Sequence, residues 1–150
     1  MKKAILYFAT CILIVSSVAA MPDSKTLKRF NETFPNAKNV KWMDDKAGFF
    51  VSFTQNGNFN KVFYNTDGNF VYALKYCSAD ELPNNIVMGL NEKYGESKIL
   101  GVTEITTQGN ILYNVKLSKE KKLYDLNVLA DGSIAKADVY DDGTSTATGQ

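Results

Sequence analysis

Residues 34–76 read FPNAKNVKWMDDKAGFFVSFTQNGNFNKVFYNTDGNFVYALKY, and they decide the fold class. Apolar and aromatic side chains recur at every second residue, which is the period of a half-buried strand. Phe49, Val51 and Phe53 alternate with Phe50, Ser52 and Thr54; Phe59, Lys61 and Phe63 alternate with Asn60, Val62 and Tyr64. Val40 and Trp42 share one face of an earlier run, and Phe70, Tyr72, Leu74 and Tyr76 one face of a later one. Between the runs stand Asp44-Asp45 with Gly48, then Asn56-Gly57, then Asp67-Gly68. Asn-Gly and Asp-Gly tolerate the positive φ that tight hairpins demand. The stretch therefore predicts four antiparallel strands in a meander.

Working outward, Pro22-Asp23-Ser24 opens a helix on its N-terminal side, with Asp23 or Ser24 as cap. Leu27, Phe30 and Phe34 repeat on one helical face, and Pro35 ends it. On the C-terminal side Ser78 and Glu81 have capping-box spacing, and Pro83 suits the first turn of a second helix. Leu82, Ile86, Leu90 and Tyr94 form its apolar stripe, and Gly95 stops it. Four more strand runs follow, over 99–106, 111–117, 123–129 and 134–140. Gln108-Gly109-Asn110 and Asp131-Gly132 mark two of their turns; Ser118 to Lys121 must supply the third with charged residues. The expected class is α+β: a tandem repeat of one helix plus a four-stranded antiparallel meander, covering about 22–77 and 78–140. Both helices should cover one face of the combined sheet, and residues 141–150 should form a flexible tail.

The first twenty residues have the form of a secretory signal. Lys2 and Lys3 precede an apolar run from Ile5 to Val15, and Val18-Ala19-Ala20 offers a small-residue exit with cleavage after Ala20. The run is short for a bilayer span, and Cys11 lies inside it, an unsuitable place for lipidation. The expected location is the periplasm or the exterior, with no stable membrane insertion after cleavage. Of 150 residues, 17 are basic and 16 acidic; loss of Lys2 and Lys3 leaves a net charge of −1. No basic stripe exists, so the chain lacks the footprint of a nucleic-acid binder.

There is no histidine, and Cys77 is the single cysteine after cleavage. The usual nucleophile–base pairs and zinc sites are thus unavailable. The Asp pairs at 44–45 and 141–142 read as solvated turns, and no acidic pattern matches a calcium loop. Neither an enzyme nor a cofactor or metal is expected. Cys77 reads as a partly buried small hydrophobe.

A family resemblance rests on order and spacing. The signal, a helix ending in Phe34-Pro35-Asn36-Ala37, then Val40-Lys41-Trp42, Asp67-Gly68, Leu82-Pro83 and Lys93-Tyr94 together resemble the PepSY-like, β-lactamase-inhibitor-protein-like (BLIP-like) family of exported bacterial proteins. The resemblance implies a helix-plus-four-strand repeat with helices on one side and an open or concave sheet face on the other. The family's inhibitor relies on disulfides, which a single cysteine cannot form, so β-lactamase is not implied as the target.

Alternation assigns Phe49, Val51, Phe53, Tyr113, Val115, Leu126 and Val128 to the helix side. The opposite face then carries Phe50, Val62, Tyr64, Leu112 and Leu123 among polar neighbours, with Phe50 and Tyr64 as anchors. Trp42 fits either face, core packing being the better fit. The expected function is a non-enzymatic binding module that presents this face to another periplasmic or cell-surface protein, to inhibit it or to regulate a peptidase. The alternative is a small-ligand carrier with an apolar pocket between sheet and helices. Self-association through the face or a sheet edge is a third reading.

Overall fold

A computed structural model describes residues 21–143. The expected signal segment and its cleavage site, and residues 144–150 of the expected tail, lie outside the described residues. The chain runs α1 (Ser24–Thr33), β1 (Lys38–Asp45), β2 (Gly48–Gln55), β3 (Asn58–Asn65), β4 (Phe70–Cys77), a 3-10 turn (Ala79–Glu81), α2 (Asn84–Tyr94), β5 (Lys98–Thr107), β6 (Ile111–Lys119), β7 (Lys122–Leu129) and β8 (Ile134–Asp141). All eight strands form one antiparallel sheet in chain order.

Local chemistry explains each boundary. The Asp23 carboxylate accepts the Thr26 amide at 2.8 Å and caps α1. Phe34 closes that helix by donating its amide to the Phe30 carbonyl, one residue before Pro35. The Ser78–Glu81 capping box is present, but it caps the 3-10 turn; Pro83 is the N-cap of α2 rather than part of its first turn. Gly95, at φ 58°, ends α2. Glu120 and Lys121 both take positive φ, 51° and 62°, and make the β6–β7 hairpin without a glycine. β8 extends to Asp141, one residue into the expected tail.

Two cores lie beneath the helices. Phe30 of α1 packs with Val51, Phe53, Val62 and Tyr64, with Trp42 and Phe34 against their rim. The Phe30 ring stands edge-on to both Trp42 and Phe53, at 5.3 and 5.1 Å. Ile86, Leu90 and Tyr94 of α2 pack with Val102, Tyr113, Val115, Leu117, Leu126 and Val128. Ala73 touches the first core and Cys77 the second. They lie four residues apart on β4 and so share a face, which places both helices on the same side of the sheet.

The segments α1–β4 and α2–β8 have matching details. In one, Asn65 donates its amide to the Asn69 carbonyl and accepts from the Gly68 amide; in the other, Leu129 and Ser133 stand in the same relation, with Gly132 in place of Gly68. A register shift precedes each turn, at Phe63/Tyr64 and at Asn127/Val128. Each turn also receives a helix: Arg29 donates to the Gly68 carbonyl at 2.8 Å, and Asn85 to the Ala130 carbonyl at 2.9 Å.

Val62 and Tyr64 are not on the open face. They are 0% and 3% exposed, in the core under α1. The hairpin at Asn56-Gly57 has a two-residue loop, so Gln55 pairs with Asn58 and Val62 stands opposite Val51. Directly opposed residues share a face. The phase of β3 is therefore the reverse of the one expected, and Phe63 replaces Tyr64 beside Phe50.

Candidate binding face

The side of the sheet away from the helices is built by cross-strand rows. One row runs Met43, Phe50, Phe63, Tyr72 across β1–β4. The Phe50 and Phe63 ring centres are 4.6 Å apart, and those of Phe63 and Tyr72 5.5 Å, so the tilted rings pack along the row. The neighbouring row continues as Leu74, Ile105, Leu112, Leu129 across β4–β7. Met43 and Leu129 are exposed at the ends, and the side chains between them are half-buried by one another. An apolar band thus crosses most of the sheet. Further along β3 and β4, Phe59 and Tyr76 form a second ring pair at 5.6 Å, both exposed.

Beside the band, β6–β8 carry a polar network on the same face. Asn114 donates to both Asp125 and Asn127. The Lys116 ammonium meets the other Asp125 oxygen at 2.8 Å, and Lys136 meets Asp138 at 2.6 Å. Lys116 and then Asn114 hold the Asp125 carboxyl below its ordinary range, while Asp125 pushes Lys116 up. These charges cancel in pairs, so the network is polar but electrically balanced.

Phe50 and Leu112 occupy the apolar band, and Leu123 lies nearer the opposite end, between Ser118 and Tyr140. Val62 and Tyr64 are absent from it. Met43, Phe63, Tyr72, Leu74, Ile105 and Leu129 are members that alternation alone did not single out. The two-residue loop at Asn56-Gly57 carried the signal for Phe63: counting back from the Gln55–Asn58 pair sets Phe63 opposite Phe50. Trp42 packs against the first core, as expected of it.

Elsewhere, two polar groups have clear local roles. Cys77 is half-buried, and burial pushes its thiol up, away from the reactive thiolate. Glu81 is pulled down to about 2 by Lys75, then by Asn58 and the Ser78 amide; it ties the 3-10 turn to β3 and β4. Among the described residues no three His, Cys, Asp or Glu side chains converge as metal ligands, and no helix is long and apolar enough to cross a membrane.

No protein-family model matches the chain, and no curated protein matches its sequence. Solved structures do match. A BLIP-like protein from Bacteroides fragilis superposes with a TM-score of 0.71 at 16% identity, over 85% of this chain and 92% of that one. A DUF2874 family protein from Bacteroides ovatus gives 0.69 at 21% identity, over 84% and 93%. A candidate periplasmic protein from Bacteroides eggerthii gives 0.68 at 15% identity, over 84% and 94%. At these identities the likeness is one of fold, and that fold, an eight-stranded antiparallel sheet with two helices, is BLIP-like.

Proposed function

We propose that this chain is an exported, non-enzymatic binding module whose uncovered sheet face engages another protein. The apolar band from Met43 to Leu129 carries the reading. Two adjoining rows of rings and aliphatic side chains, half-covered by one another and bordered by a satisfied polar network, have the composition of an interface core with a polar rim. Phe50 and Phe63 are its anchors, since large aromatic side chains often dominate binding energy. The space beneath the helices is occupied by fully buried side chains such as Phe53, Ile86 and Leu126, which favours the face over a ligand pocket.

Export is supported by Lys2-Lys3, the apolar run and the small residues at 18–20, and by likeness in fold to a protein described as periplasmic. The matching turns, register shifts and helix contacts support a tandem helix-plus-four-strand repeat and the PepSY-like assignment that implies one. Its mode of action is occlusion of the partner, by inhibition or by regulation of a peptidase.

The test is affinity capture from an envelope extract of the native host, with residues 21–150 as bait. One protein retained by the wild type, competed by free bait and lost with Phe50→Ala/Phe63→Ala, is the expected result. Equal retention by the double variant would remove the face from the reading.

A further inference from the structure

The lysines of β1–β3 and of β6–β8 on the open face differ in how they are paired. Across β1–β3 runs the row Lys41, Ser52, Lys61. Alternate strands are about 10 Å apart, so the two lysines flank the small Ser52 side chain. Phe50 and Phe63 lie on one side of this row, and Phe59 on the other, with the Lys61 ammonium 5.9 Å from the Phe59 ring centre. β1–β4 contain two acidic residues. Asp44 pairs with Phe49 on the helix side, and Asp45, at the end of β1, accepts the Ala47 amide in the turn. Among the described residues neither Lys41 nor Lys61 has a carboxylate within ion-pair distance. In β6–β8, by contrast, each open-face lysine discussed above meets an aspartate.

We infer that the β1–β4 half of the face takes an extended, acidic peptide segment of the partner, with a carboxylate over Ser52 between Lys41 and Lys61. This rests on the proposed binding function and names the chemistry of what is bound. An extended chain sets alternate side chains about 7 Å apart, which is also the spacing of same-face residues along a strand. A segment with apolar, acidic and apolar residues at alternate positions therefore lays its carboxylate on the lysine row and its apolar groups on the ring rows at either side. A broad anionic surface, such as a membrane or a nucleic acid, fits less well, because the Lys116–Asp125 and Lys136–Asp138 pairs on the same face offer it no net charge.

The experiment is an amide NMR titration of the protein with the peptide GFSESLG, acetylated and amidated, and with its Glu→Gln and Glu→Lys forms. The acidic peptide should shift the amides of Ser52, Lys61 and Phe63 and bind about three- to tenfold more tightly than the Gln form. That advantage should vanish at about 1 M salt, where the screening length is about 3 Å. Lys41→Glu/Lys61→Glu, both solvent-facing changes whose fold the same spectra check, should prefer the Lys form. Equal binding of the acidic and Gln forms would overturn the acidic segment while leaving the face reading standing. Shifts confined to β6–β8 or the helix side would overturn it, as would silence from all three peptides up to about 5 mM. Loss of signal on phosphatidylglycerol vesicles with no peptide response would replace the segment with a membrane.

Discussion

Tyr64 and Phe63 are adjacent in the chain and opposite in role. Tyr64 is in the core with Val51, Phe53 and Val62, while Phe63 lies on the open face between Phe50 and Tyr72. Tyr64→Ala should cost about 3–5 kcal/mol, the usual range for emptying a buried aromatic site. Phe63→Ala should cost about 1 kcal/mol or less, because its ring is only half-covered. Urea unfolding of the two variants checks this; equal losses would return Phe63 to the core. Burial also pushes the Tyr64 phenol up to about 12. The folded state then holds a proton that the unfolded state, ionising near pH 10, has lost. Stability should fall as pH rises from about 10 to 12. Tyr64→Phe should flatten that fall, leaving the part due to Tyr94 and Tyr113, which burial also raises.

Turns are where local chemistry most directly sets an element. Asn56-Gly57 spells its hairpin in the language of positive φ, and Asp67-Gly68 and Asp131-Gly132 share one pattern of bonds. Glu120-Lys121 forms the same kind of two-residue loop with residues that resist positive φ. Replacing the pair by Asn-Gly should raise stability by about 1 kcal/mol, and a shift in thermal midpoint measures it. The helix starts were legible less evenly. Asp23 caps α1 as its position suggests, whereas the Ser78–Glu81 box serves a 3-10 turn. The box signals free N–H groups at the start of a helical turn, and it does not specify how many turns follow.

At the scale of the molecule, one sheet spans two cores, and β1 and β8 are its edges. Both are largely exposed, and both carry charge and lie beside a register shift, the devices by which edge strands resist further pairing. Hydrogen exchange should therefore be fastest in β1 and β8 and slower in β2–β7, whose flanks are both paired. Uniform protection would mean that the sheet opens only as a whole. Composition and period sufficed for two helices, eight strands, their order and the antiparallel class, because those follow from neighbours within a few residues. The two cysteines, the missing histidine and the balanced charge likewise followed from a count. The membership of the open face did not. Period two separates a strand's sides but cannot say which side is in; where both sides of β3 are apolar, Phe59 and Phe63 against Val62 and Tyr64, pairing with β2 and packing on Phe30 make the choice. Rows such as Met43–Phe50–Phe63–Tyr72 and Lys41–Ser52–Lys61 exist only across strands, so the tertiary structure alone assembled them.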